Sequence, residues 1–448
     1  MRLRTLQDDP RHAWTPFQAS DTDPWDLDRV AHLHRRAGFS PSWEVLQRDL
    51  EEGPEASIDR LLHGEPEALD GSPAASFDNL MDALARGPGA AAGPTGLQAS
   101  WLYRMIHTPF PLRERMTLFW HDHFATSVEK VNEPSLMRQQ NELLRRHALG
   151  SFADLLRSMA KDPAMLLWLD ATASKKEHPN ENYAREVMEL FTLGRGHYSE
   201  RDVQEAARAF TGTFVVQGRY RHDSREFDAG EKSILGQTGS FDGDAVASIL
   251  LDQPACARFL CRKLFALLLS EVDEPSDALI DPLADAYRNS GYDTMVPVSM
   301  ILHSRLFFDP SMRRKRVKSP VEFAVGTIRA LEIVSPTVST NELAEACSRM
   351  GQRLFAPPSV AGWDGGPAWI NTTTTLARSN TILALMNDRR RFDPEALPAR
   401  HGQADDPAAF YTKLLVQETL SSEVRNRIKG SAREVATLVL TSPEYQLA

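Results

Sequence analysis

No run of about 18 apolar residues occurs in the chain, so the sequence predicts no membrane-spanning helix. The opening Met1-Arg-Leu-Arg-Thr-Leu-Gln-Asp-Asp-Pro10 has no apolar core of the kind a secretory signal needs, and on that reading the protein is expected in the cytoplasm. A basic surplus is also lacking. Lys and Arg number 51 against 61 Asp and Glu, a formal charge of −10, which argues against nucleic acid as the main partner. Cysteine is scarce. Cys256, Cys261 and Cys347 have no metal-ligand spacing, and five residues along one helix is poor geometry for a disulfide. There is no Gly-x-Ser-x-Gly elbow, no phosphate-binding Walker loop, no Gly-x-Gly-x-x-Gly and no His-Glu-x-x-His. These absences remove the reaction classes that a short motif alone can announce.

What is present is ordinary globular material. Apolar content of 42% and charged content of 25% predict a packed core, and 448 residues suffice for two or three average domains or one large composite one. Helical periodicity dominates, so the expected fold is mainly α, a large multi-helix single domain. Around Gly218 the period shortens: Phe214, Val216 and Tyr220 alternate, which predicts a small β-hairpin. Residues 1–24 read as a loose arm and 25–448 as the domain. The Gly/Pro/Ala-rich stretch within 86–96 reads as a flexible loop and 392–407 as a linker.

One stretch organises the rest. Pro179-Asn-Glu-Asn-Tyr-Ala-Arg-Glu186, continuing to Gly194, starts and stops like a helix: Asn180 suits the N-cap and Gly194 the C′ position. At 100° per residue Asn182, Glu186 and Glu189 share one stripe, while Tyr183, Val187, Leu190 and Phe191 share an apolar face. Two carboxylates one turn apart repel, so something is expected to compensate them. The plain answer is Arg185, within reach of Glu189. The sharper one is a histidine, an arginine or a divalent metal from a facing helix, a recurring construction in α-proteins.

The facing helix is expected over Leu112 to Ser127, which carries Phe119-Trp-His-Asp-His-Phe124. His121 and His123, two apart, point to different sides unless the helix ends there. The plain reading makes His123 a satisfied core histidine and His121 a surface one; the functional reading brings one of them to Glu186 or Glu189. Packing of Trp120 and His123 against Tyr183 and Leu190 would do this. Three further stretches are candidates. His222-Asp223 and Phe227-Asp228-Ala-Gly-Glu-Lys232 lie on a long polar loop. Pro357 to Ile370 sets Trp363 and Trp369 on a Pro/Gly frame suited to stacking or to plugging a core. Arg313 to Lys318 puts cations before a helix opened by the capping box Ser319-Pro-Val-Glu322, where they could hold an anion or simply be solvated.

Together, His34-Arg-Arg-Ala-Gly-Phe39, Leu112 to Phe124, Asp162-Pro-Ala-Met-Leu-Leu-Trp-Leu-Asp170, Pro179 to Gly194, Lys318 to Glu322 and Pro357 to Ile370 resemble the bacterial family catalogued as domain of unknown function 1800. The resemblance spans roughly residues 28–446. It implies a neighbourhood with a sulfatase-like protein and export of many members. Two features depart from the family pattern: Phe227-Asp228 stands where a His-Asp pair is common, with His222 five residues earlier, and no export signal is seen. The resulting expectation is a Glu/His/Arg site on central helices of a hydrolytic or metal-assisted enzyme. Glu186, Glu189, His121, His123 and Arg185 would carry the chemistry, and Asn182, Asp228, Lys232 and Trp363 would bind substrate. The alternative is a non-catalytic scaffold or partner of a sulfatase-like protein.

Overall fold

A computed structural model describes residues 9–64, 73–86, 93–335, 338–417 and 420–448. The architecture is mainly α, as the periodicity implies, with two small two-stranded antiparallel sheets. Apolar side chains gather in two buried clusters. One includes Trp120, Phe124, Phe152, Val187 and Phe191; the other includes Trp101, Phe323, Phe355, Phe410 and Tyr445. Trp25 and Trp168 pack against both, so the two cores meet rather than separate.

The predicted hairpin is present: Thr213–Val216 pairs with Arg219–His222, and Gln217-Gly218 both take positive φ, the turn geometry that matches strand twist. A second hairpin, Lys232–Ile234 with Gln237–Gly239, lies where the sequence reads as loop. Its turn is Leu235-Gly236, and leucine at φ +48° is not a turn signal. It forms because the Ser233 and Leu235 amides donate to Glu205 Oε2 (3.0 Å) and Asp202 Oδ1 (2.7 Å) on the helix Glu200–Ala209.

Residues 9–17, read as part of a loose arm, are pinned. Trp14 Nε1 donates to Leu279 O (2.8 Å), the Phe17 amide to His303 O (2.7 Å), and Ala13 is fully buried. Within the expected linker, Leu397 is buried on the short helix Ala396–Arg400. Of the expected flexible loop, 87–92 lie outside the described residues, while Gly93–His107 is helical. The basic run is not a solvated face: Arg316 and Lys318 are buried, Arg313 meets Asp28 (2.7 Å) and Lys315 meets Asp273 (3.2 Å). Compensating carboxylates from distant parts of the chain make that burial tolerable.

The organising helix is central. Asn180 caps it through Asn182 N (2.9 Å), and Glu181–Glu186 is α-helical. Val187–Thr192 then widens to a π-turn: Leu193 N reaches Met188 O (2.8 Å), and the Thr192 hydroxyl donates to Val187 O (2.6 Å). Such π segments recur at functional sites. Val187 is 2% exposed, so Val187→Asp should place an unpaired charge in the first core and prevent folding. An unchanged unfolding midpoint would show that this helix is not central.

Candidate functional site

The helix Pro111–His123 ends at its second histidine, where Phe124 leaves helical geometry. His121, Asp122 and His123 therefore fan out from one helix end, in three directions. His121, 1% exposed and not a surface residue, accepts at Nε2 from the Phe355 amide (3.1 Å). Its Nδ1 must then carry the hydrogen of the neutral ring, and burial holds its pKa down at about 3. His123 reaches the organising helix as expected, but at its backbone: Nε2 lies 3.1 Å from Phe191 O, a carbonyl left over at the helix end. A carbonyl only accepts, so Nε2 carries the hydrogen and Nδ1 accepts. The donor at Nδ1 is Lys263 Nζ, 3.2 Å away on the helix Pro254–Leu268. Burial, then the neighbouring ammonium, keep His123 neutral.

Between the histidines, the half-buried Asp122 faces the Trp363 loop. Its Oδ1 accepts from the Trp363 amide (2.9 Å). Gly362, at φ +83°, lies so close that a Cβ there would stand 2.2 Å from Asp122 Oδ1 and 2.7 Å from Asp122 O. Only glycine allows this approach, since an L-residue would meet both the αL penalty and the clash. The His121 ring lies 5.8 Å from the Trp363 ring and 5.2 Å from that of Phe355, so it joins the loop to the second core. Burial pushes the Asp122 carboxyl up to about 6, against the Trp363 amide and the Lys263 charge, which pull it down. Burial also lowers Lys263, opposed by Asp122. Four titratable groups are thus gathered, His121, Asp122, His123 and Lys263, and burial shifts two of them, Asp122 and Lys263, toward neutrality, as happens at many acid–base sites.

The linkage has a definite sign. A carboxyl whose folded pKa is raised holds its proton more tightly folded than unfolded, so its contribution to stability falls as pH rises from about 4 to about 6, then levels. Asp122→Asn should match the wild type below pH 4 and exceed it by on the order of 2 kcal/mol at pH 8. Urea midpoints across pH check this; parallel curves would show an unperturbed Asp122.

The other expected site residues make other contacts. Neither histidine bonds to Glu186 or Glu189. Glu189 takes Arg195 (2.6 Å) and Tyr198 (2.7 Å), and Arg185 takes Glu200 (2.7 Å) and Glu181 (3.4 Å) rather than Glu189. Tyr183 packs on Phe210, and Trp120 donates to Ala148 O and stacks on Phe152, all within the first core. Glu186 is half-buried with no hydrogen bond among the described residues, and burial, then Glu189, raises its pKa. Asn182 donates to Leu169 O (3.1 Å), tying the 162–170 stretch to the organising helix. Asp228 pairs with Arg208 (2.7 Å), and Lys232, buried, donates to the carbonyls of Asp228 (2.5 Å) and Gly230 (3.0 Å). That loop holds itself together. His222 stands beside Phe227, ring centroids 5.4 Å apart, where both line a separate cavity of about 280 Å³. Lys263 carries no sequence signal: it is one of three cations, with Arg258 and Arg262, in the largely apolar helix Pro254–Leu268. Asp122 has one, its place between two histidines near a helix end.

A mainly helical protein with a half-buried Asp/His/Lys centre at one helix end, closed by a glycine-clamped loop, is the class these features define. A family model matches residues 32–447, so the chain belongs to the family described as a protein of unknown function, DUF1800. No curated protein and no solved structure matches it. Among the described residues no helix is long and apolar enough to cross a membrane, and no three His, Cys, Asp or Glu side chains come together as a metal site would need.

Proposed function

We propose that the chain is an enzyme of hydrolytic type whose acid–base group is Asp122. The observation that carries this is the gathering at one helix end of the half-buried Asp122 carboxyl, held by the Trp363 amide, and the Lys263 ammonium, held by neutral His123; burial then pushes the carboxyl up to about 6. With such a pKa, Asp122 takes a proton from an attacking water at neutral pH. Lys263, oriented by the Nδ1 of neutral His123, meets the negative charge that develops on the substrate. His121 and His123 act as positioning residues with fixed tautomers. Trp363 forms the wall over the site. Glu186 is kept as a second carboxylate, since its raised pKa and missing partner suit proton transfer; Glu189, Arg185 and Asn182 hold its helix in place.

A panel of nitrophenyl esters, phosphates and sulfates tests the reading. Turnover should rise through about pH 6 and fall at least a hundredfold in both Asp122→Asn and Lys263→Met. Glu186→Gln should lower turnover with no fall in the unfolding midpoint. The proposal fails if Asp122, followed by carboxyl-carbon NMR, titrates below pH 4.5, whatever the panel shows.

A second reading, a partner protein for a sulfatase-like enzyme, draws support from exposed apolar side chains. Ile370 ends the Trp363 loop at 39% exposed, and Leu376 (61%) and Leu383 (45%) continue along the helix Thr372–Asn387. Co-purification with that enzyme, lost in Leu376→Asp/Leu383→Asp, would favour it over catalysis.

A further inference from the structure

We propose that the chain binds a small organic anion, a carboxylate or phosphate on a short apolar body, in a cavity at the far end of the helix Pro111–His123 from Asp122. The cavity measures about 510 Å³, within the range of small-molecule sites. Pro111 lines it, so twelve helical steps, about 18 Å, separate it from His123. It is independent of the hydrolytic reading.

The backbone around it is built under constraint. Gly326, on the helix Pro320–Ala330, lies against Phe39: a Cβ there would stand 2.1 Å from Phe39 O. That close approach turns the chain sharply, and Ser40 sits at φ +119°, a conformation L-residues rarely take. Phe39 and Ser40 thereby become one wall. Leu61 and Ile106, one from each apolar core, contribute the opposite surface.

The charge balance points to an anion. Arg48 and Arg60 line the cavity but engage Asp49, at 2.9 and 2.6 Å, and Asp49 also holds His34 Nε2 at 2.6 Å. Arg400 meets Glu332 at 3.5 Å, and Glu332 also holds His401 at 2.8 Å; Glu44 lies on the rim. Arg329 has no carboxylate partner among the described residues. Its hydrogen bonds all leave from Nη1, to the carbonyls of Ile106 (2.7 Å), Met105 (3.3 Å) and Thr108 (3.4 Å). Nε and Nη2 remain for a ligand, in the fork geometry that suits carboxylate or phosphate. Beside it His107 Nε2 is buried with no hydrogen-bond partner. A guanidinium without a counter-charge is met best by an anion, and in the tautomer that carries hydrogen on Nε2, His107 adds a second, otherwise unpartnered donor to the same cavity. One anion would satisfy both, while Phe39, Leu61 and Ile106 cover an apolar body.

The full chain is titrated calorimetrically with inorganic phosphate, hexanoate and hexyl phosphate, against sodium chloride at matched ionic strength. Saturable binding of hexanoate or hexyl phosphate is expected, at least tenfold weaker in Arg329→Gln. Val334→Glu serves as the second variant, since Val334 lines the cavity yet is 42% exposed, so the fold tolerates it while the new carboxylate repels an anion. Binding of hexanoate alone names a carboxylate ligand and of hexyl phosphate alone a phosphate ester, while inorganic phosphate binding as tightly as its ester would show that the apolar wall takes no part and would overturn the proposal. No saturable binding beyond the chloride control, or equal affinity in Val334→Glu, overturns the proposal.

Discussion

Glu322→Gln should destabilise the protein by about 3–5 kcal/mol, as measured by the urea midpoint at pH 7. Glu322 is 4% exposed and lies among cations. Arg115 contacts its carboxylate directly and Arg316 Nη1 lies 3.0 Å away, while its other oxygen accepts from the Ser319 amide at 2.6 Å, completing the capping box. Arg36, Lys318 and Arg378 are also buried in this region. Once Glu322 is neutral, the carboxylate left to Arg316 is Glu271, at 3.7 Å. Glutamine keeps the shape and an acceptor for Ser319 but removes the charge, so the loss isolates the uncompensated guanidinium groups. Burial opposes ionisation of Glu322, yet Arg115 and Arg316 together hold its carboxyl far below the usual range. Its stabilisation is therefore fully present above about pH 4.5 and fades only as pH falls through that depressed value. A loss below about 1 kcal/mol, the range of an exposed ion pair, would show that water reaches the cluster.

Gly362→Ala should be the most damaging small substitution at the candidate site, with a loss of about 2–4 kcal/mol. The added methyl would have to enter the Asp122 carboxylate and carbonyl, both closer than any Cβ contact permits. The loop would lift, the Trp363–Asp122 hydrogen bond would break, and the Trp363 ring would leave His121. Gly365→Ala is the matched control. Gly365 has a similar φ of +71° with ψ −172° and nothing within 4 Å of its would-be Cβ, so only the backbone term of that glycine-favouring conformation applies, about 1–3 kcal/mol, with no clash added. Near-ultraviolet circular dichroism should change for the first variant and not for the second. Equal effects would mean that the loop is not clamped on Asp122.

Much of the organising helix is legible in the sequence. Asn180 as cap and Gly194 at its end follow from local preferences that need no tertiary partner. The π-turn does not follow, because it is held by the Thr192 hydroxyl and by a leftover Phe191 carbonyl that His123 satisfies from another helix. The same contact explains the misplaced partner: periodicity assigns the histidine to a carboxylate, yet Arg195 and Tyr198 already serve Glu189 from the same stretch of chain. Arg185 could in principle reach either Glu181 or Glu189 from one turn away; Glu200, from the next helix, fixes the choice.

From the order of residues alone came the helical class, the hairpin at Gly218, the capping box at Ser319 and the family likeness. All of these rest on interactions within a few residues, or on patterns read directly in the chain. The tertiary structure decided what each charged group meets. It buried Arg316 and Lys318 with Glu322, set Lys263 on His123 and left Arg329 without a carboxylate among the described residues. Charge compensation acts between side chains far apart in sequence, and a one-dimensional pattern does not record which of them the fold brings within a few ångströms.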